Sequence, residues 1–248
     1  MTRLLGLDFA DLDLDATLAL LAGRPMAAPF AYIVTPNADH LVRLAHDPAR
    51  YGPLYAGAEW RLLDSRVVAR IARILGLASP PVVPGSDLTA QLMERVVVPG
   101  EAIAVLGAST RAVARLQARY GITLLHHDPP MGFDADPVAF EVALRFIETS
   151  GARFHLLCVG SPRQEIVARA LAARGVARGT ALCVGASLRF LTGEERRAPR
   201  LVQRAGFEWA WRLAQDPRRL ARRYLRDDPA ILALLWRERS ALRRAGGG

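Results

Sequence analysis

Residues 102–127 read AIAVLGASTRAVARLQARYGITLLHH. An apolar run closes on Gly107, a small polar turn follows, a helical pattern runs from Thr110 to Tyr120, and a second apolar run ends at His126 and His127. The same grammar recurs along the first 195 residues. Candidate strands are LLGLDF (4–9), AYIVT (31–35), EWRLLD (59–64), AIAVLG (102–107), ITLLHH (122–127), FHLLCVG (154–160) and ALCVGA (181–186). Helical patterns lie between them at 13–23, 38–46, 65–77, 87–97, 110–120, 137–150 and 162–174. Alternating elements with nearly continuous apolar strands predict an α/β fold, a mostly parallel sheet with helices on both faces.

Composition narrows the chemistry. The chain has 248 residues, 51% of them apolar, enough for a sizeable core. All 33 basic residues are arginine. Without lysine there is neither a Schiff-base nucleophile nor a Walker A loop. Cys158 and Cys183 sit inside apolar runs and read as buried small hydrophobes of a reducing compartment. The N-terminus turns acidic by Asp8, which leaves no room for a signal peptide, and no run of about 20 apolar residues could span a bilayer. The expected location is therefore cytoplasmic, with any membrane contact peripheral.

The net charge of +9 is concentrated. Residues 1–195 balance 19 Arg against 19 acidic residues, so residues 196–248, with 14 Arg against 5, hold the whole surplus. There the arginines alternate with Phe207, Trp209, Trp211, Leu220, Tyr224, Ile231, Leu235 and Trp236. This reads as short amphipathic helices, and Trp with Arg suits a headgroup boundary. A solvated helix packed on the main domain is the ordinary alternative. No nucleic-acid reader accompanies the charge, so nucleic acid is not an expected partner.

In a parallel sheet the ligand site forms at the carboxyl ends of the strands, so the informative residues should follow each strand. Gly107 and Ser109 open a helix and could hold a phosphate there, or merely turn and cap. Gly160-Ser-Pro-Arg-Gln-Glu165 should put Arg163, Gln164 and Glu165 in a first helical turn facing the strand ends. Asp64 ends a strand and could act as a general base or as an N-cap. Gly185 follows the last strand. Asp11, Asp13 and Asp15 read as capping residues, and Asp134 and Asp136 as a cap or as a Mg²⁺ pair. His126 and His127 must face opposite ways on their strand and form no compact metal pair.

The segments TPNADHLVRLAHDP (35–48), WRLLDSRVVARI (60–71), VPGSDL (83–88), AVLGAS (104–109), HHDPPMGF (126–133), VGSPRQE (159–165), VGASLRFLTGEERRAP (184–199) and GFEWAWRLAQDPRRLARRYLRDDP (206–229) stand in an order that resembles the WecG/TagA/CpsF glycosyltransferase family. The resemblance runs from about Tyr32 to about Leu225. It implies a Rossmann-like core over residues 1–195 and an Arg-rich helical appendage over 196–248, linked to membrane association. It also implies an inverting transfer from a UDP-sugar to a lipid-linked saccharide in cell-envelope or exopolysaccharide assembly, without cofactor or metal. Asp64 matches the proposed base, Thr35 and Asn37 the acceptor side of the pocket, and Gln164 the glutamine of the G-x-P-[KR]-Q-E pattern. Two positions depart from the family. Ser65 stands where a glycine is common and Val82 where an arginine is common, so Arg163 or Arg218, Arg219, Arg222 or Arg223 would have to meet phosphate instead. The competing expectations are a metal-dependent transferase using Asp134 and Asp136, and a non-catalytic basic protein that binds membranes or other polyanions.

Overall fold

The computed structural model describes residues 1–98, 100–185, 187–193, 211 and 230–245. Six strands form one all-parallel sheet: β3 (Ala31–Val34), β4 (Trp60–Arg61), β5 (Ala102–Leu106), β6 (Thr123–His127), β7 (Phe154–Leu157) and β8 (Thr180–Cys183). Their spatial order is β4-β3-β8-β7-β5-β6. The helices between them are α1 (Leu14–Gly23), α2 (Ala38–His46), α3 (Pro48–Ala56), α4 (Arg66–Ile74), α5 (Gly85–Arg95), α6 (Thr110–Tyr120), α7 (Pro137–Thr149), α8 (Arg163–Arg174) and α9 (Ser187–Leu191). A last helix, α10, covers Ala230–Ala245.

Strand alternation divides the core in two. Tyr32 and Val34 of β3 join Ala104, Leu106, Leu157, Ala181 and Cys183 on one face, packed by α2, α4, α7 and α8. Ile33 joins Ile103, Val105, Phe154, Leu156 and Leu182 on the other, packed by α1, α5, α6 and α9. Each fully buried Leu, Ile or Phe contributes about 1.5–3 kcal/mol, which explains why the strands are apolar on both faces.

Three features differ from the sequence reading. The segment 4–9 is not a strand of the main sheet. Residues β1 (Thr2–Leu4) and β2 (Leu7–Phe9) pair antiparallel around a turn in which Leu5 and Gly6 have φ of 50° and 80°. Two successive residues with positive φ build the tight hairpin turn, which periodicity alone does not reveal. Helix α3 lies where only a connection was expected. Asp47 caps it and Pro48 starts it, and Pro53 inside the run hides the helical pattern. The segment 59–64 makes only a two-residue ladder with β3, after which Leu63 bridges Val82.

Helix α10 is no free arm. Ile231 and Leu235 are buried in the same cluster as α2 and α4, and Glu238 accepts the Leu5 N–H at 3.0 and 3.1 Å. Leu232, Trp236 and Leu242 of the same helix are exposed. The short helices expected between 196 and 229 lie outside the described residues, apart from Trp211. Among the described residues, no helix is long and apolar enough to cross a membrane.

Candidate active site

The sheet order decides which predicted residues meet. Thr35, Gly185 and the Gly160 loop leave the neighbouring strands β3, β8 and β7. Asp64 follows the edge strand β4, and Gly107 follows β5. Those two exits are four strand steps apart, roughly 19 Å at about 4.8 Å per step. Asp64 and Gly107 therefore bound opposite ends of the carboxyl edge rather than one compact pocket.

Asp64 is held by backbone. Its N–H donates to the Pro36 carbonyl at 2.9 Å, and its carboxylate accepts the Gly85 N–H at 3.3 Å. It does not cap the following helix, because Ser65 does so by accepting from Val68 N–H at 3.2 Å. The serine adopts an extended φ of −158°, so a glycine is not required after Asp64. Helix α5, which starts at Gly85, has Pro84 as its cap residue and no side-chain cap. The half-buried Asp64 carboxylate thus faces the positive end of α5. Arg66 lies beside it, 3.6 Å from Asp87 in the first turn of the same helix.

Small residues allow the elements to close around this end. A Cβ on Gly85 would lie 3.1 Å from Thr35 Oγ1 and 3.4 Å from Ser187 Oγ. Thr35 is buried and donates to the Cys183 carbonyl at 3.2 Å. Asn37 caps α2 by accepting from His40 N–H at 3.3 Å, which leaves its amide NH₂ as the group able to meet a ligand. Ser187 stands in the strand-end segment Gly185-Ala-Ser187 that the sequence marks, whereas Gly85 and Arg66 were missed, the hints being a Pro-Gly pair before a helix and an Arg two residues after Asp64.

At the centre, the Gly160 loop leads into α8 through a cis Ser161–Pro162 bond. Gln164 and Glu165 do not present a solvated first turn: they are 2% and 0% exposed. The Gln164 amide accepts the Gly185 N–H and donates to Glu165, both at 2.9 Å. Burial holds the Glu165 carboxyl above its ordinary pKa. Arg163 stays near the rim, 3.4 Å from Asp134.

At the far end, Gly107 has φ of 85°, and a Cβ there would come within 2.9 Å of Val159 Cγ1. Only glycine lets the β5 and β7 exits approach so closely. Ser109 caps α6 through Ala112 N–H at 3.1 Å, so the capping reading holds locally while the helix start keeps its attraction for anions. His126 donates from Nε2 to the Ala108 carbonyl at 3.1 Å, whereas His127 packs its ring 5.5 Å from Phe146.

The paired acids are occupied elsewhere. Asp136 caps α7 through Val138 and Ala139, Asp134 pairs with Arg163, and Asp13 caps α1. Among the described residues, no three His, Cys, Asp or Glu side chains gather as a metal site. Val82 is partly buried against the core. Arg218, Arg219, Arg222 and Arg223 lie outside the described residues.

A doubly covered parallel sheet with a carboxylate, buried amides and glycine-cleared approaches along its carboxyl edge defines a Rossmann-like α/β enzyme of the kind that handles nucleotide-linked groups. The model of the family described as "Glycosyl transferase WecG/TagA/CpsF family" matches residues 2–245 of this chain, which therefore belongs to that family. The chain is a glycosyltransferase. The match extends past the span 32–225 on both sides and takes in the β1–β2 hairpin and α10.

Proposed function

We propose that this glycosyltransferase moves a hexosyl or N-acetylhexosaminyl group from a UDP-sugar to a polyprenyl-diphosphate-linked saccharide, with inversion, in exopolysaccharide or cell-envelope glycan synthesis. Asp64 takes the proton from an acceptor hydroxyl as that oxygen attacks the anomeric carbon. The bond from that carbon to the diphosphate breaks on the opposite face, and its electron pair leaves with UDP. The observation that carries this reading is the Asp64 carboxylate at the strand edge, released from capping by Ser65 and steadied by Gly85.

The leaving diphosphate gathers negative charge, which helix N-termini and arginines offset. A guanidinium bridges two phosphate oxygens, so a protein without lysine is not handicapped. Arg163 is one such group, and Arg218, Arg219, Arg222 and Arg223 are the others. Residues 1–195 supply the catalytic unit. Residues 196–248 form the appendage that brings it to the inner face of the membrane, with α10 docked on the core.

The test incubates purified enzyme with α-linked UDP-sugars and a short polyprenyl-diphosphate saccharide, then reads the new linkage by NMR. A β-linked product on the lipid acceptor is expected, at unchanged rate in EDTA. An α-linked product would overturn inversion, and abolition by EDTA would overturn the metal-free step.

A further inference from the structure

We propose that Glu165 is a positioning residue for the transfer: its carboxyl orients the Gln164 amide, which holds Gly185, and with it the Ser187 start of α9, against the Gly85 partner of Asp64. The inference rests on Asp64 being the base.

A glutamine amide has two unlike ends, and both are used here. The Gly185 N–H can only donate; it does so to Gln164 Oε1 at 2.9 Å and, over a longer distance, to the Leu157 carbonyl at 3.4 Å, so the amide turns its oxygen toward it. The NH₂ end must then find an acceptor inside the protein, and Glu165 Oε1 supplies it at 2.9 Å. Neither side chain reaches solvent, so water cannot replace the missing partner if the carboxyl is removed.

Ser187, two residues after Gly185, packs against Gly85, the backbone donor to Asp64. Ser187 donates from its N–H to the Val184 carbonyl at 3.0 Å, and its hydroxyl donates to the same oxygen at 2.6 Å. That hydroxyl stands 3.4 Å from where a Gly85 Cβ would be, and the Gly85 N–H is the donor to Asp64 at 3.3 Å. Hydrogen bonds join Glu165, Gln164 and Gly185, and the helix that starts at Ser187 packs on the helix that starts at Gly85. Slack at Glu165 lets the α5 N-terminus, and with it the Asp64 carboxylate, drift.

The groups facing Glu165 explain why a carboxyl is tolerated there. Arg43 of α2 and Ser161 of the loop before α8 favour its ionised form, while Tyr55 of α3, Tyr32 of β3 and Cys183 of β8 stand on the same buried side. Arg43 is itself tied to Asp39 at 2.9 Å. Oε2 of Glu165 has no hydrogen-bond partner among the described residues. Among the described residues, the hydrogen bond of ordinary length to this carboxyl is the one Oε1 accepts from the Gln164 amide at 2.9 Å.

The test compares Glu165→Ala, Glu165→Asp and Glu165→Gln with Asp64→Asn, measuring kcat, donor KM and thermal unfolding. Glutamine keeps the side-chain length and the accepting oxygen, and aspartate keeps the carboxyl but withdraws the oxygen by one methylene. E165A and E165D should lose kcat on the order of 10²-fold with a smaller change in KM, as expected when reacting groups are displaced by about 1 Å. E165Q should recover kcat to within about threefold of wild type because the hydrogen bond survives. The proposal is overturned if E165Q falls as far as E165D, if E165D keeps wild-type kcat, or if the kcat losses merely follow the unfolding temperature. Should E165A not fold, the contrast between E165D and E165Q decides alone. Full activity in D64N would remove the base reading while leaving the effect of Glu165 on the Gln164 turn to be judged from its own series.

Discussion

Replacing Asp64 by asparagine separates chemistry from structure at this site. The amide has the shape of the carboxylate, and its Oδ1 can still accept the Gly85 N–H now donated at 3.3 Å. That bond is long and only half-buried, so weakening it should cost less than about 1 kcal/mol of stability. Removing a positioned general base typically costs 10²–10⁴-fold in rate, which at about 1.4 kcal/mol per decade is roughly 3–5 kcal/mol of transition-state stabilisation. The rate loss therefore exceeds the structural loss several-fold. Initial rates of UDP release at saturating acceptor, with UDP affinity from calorimetry and unfolding by denaturant, give all three quantities. UDP affinity should stay within a few fold of wild type, because the diphosphate is not held by Asp64. A folded D64N protein with kcat within tenfold of wild type would refute the assignment.

Gly107→Ala should lower unfolding free energy by about 2–4 kcal/mol, combining a left-handed φ with a methyl forced onto the backbone of Cys158 and Val159; an unchanged denaturation midpoint would contradict the close approach. Leu235, fully buried from α10, should cost about 2–5 kcal/mol when cut to alanine, and a loss below about 0.5 kcal/mol would show that the helix is not docked in solution. His155 is buried and donates to the Arg178 carbonyl, and burial lowers its pKa from 6.5 to about 4. Between those values the unfolded chain binds a proton that the folded chain refuses, so stability falls as pH drops from 7 to 5, by about 2 kcal/mol. A His155→Gln variant with the same pH slope would exclude this source. Replacing Arg218, Arg219, Arg222 and Arg223 by serine should weaken sedimentation with anionic vesicles by about 1 kcal/mol per charge, and unaltered, equally salt-sensitive binding would place the membrane contact elsewhere.

Much of the fold was legible because parallel strands are apolar on both faces and stand apart from the helical periods between them. The bounds 38–46 and 110–120 were read as observed, since Asn37 and Ser109 are N-caps with a characteristic side chain. The hairpin at 2–9 was not legible: Leu5 and Gly6 in a positive-φ turn look like two residues of a strand. Helix α3 was hidden by Pro53, and the docking of α10 matches the alternative reading of an Arg-rich helix packed on the main domain.

Of the site, the residue types were visible and their company was not. Sequence could mark Asp64 as a strand-end carboxylate but left it divided between base and cap. The cap was assigned in space, where Ser65 took it and the Gly85 N–H donates to Asp64. Likewise the sequence set a first-turn Gln-Glu pair toward the strand ends, and the packing of α8 against β3, β8 and α3 decided that the pair is buried and that Gln164 meets Gly185.

By itself the sequence determined the strand and helix alternation, the absence of lysine chemistry and the set of polar residues that end each strand, because these follow from local period and composition. Tertiary structure alone decided that β4 and β5 are four steps apart, that Gln164 faces Gly185, and that α10 rests on α2 and α4. Those facts depend on strand order and on which buried donor finds which acceptor, and neither is encoded in the spacing of residues along the chain.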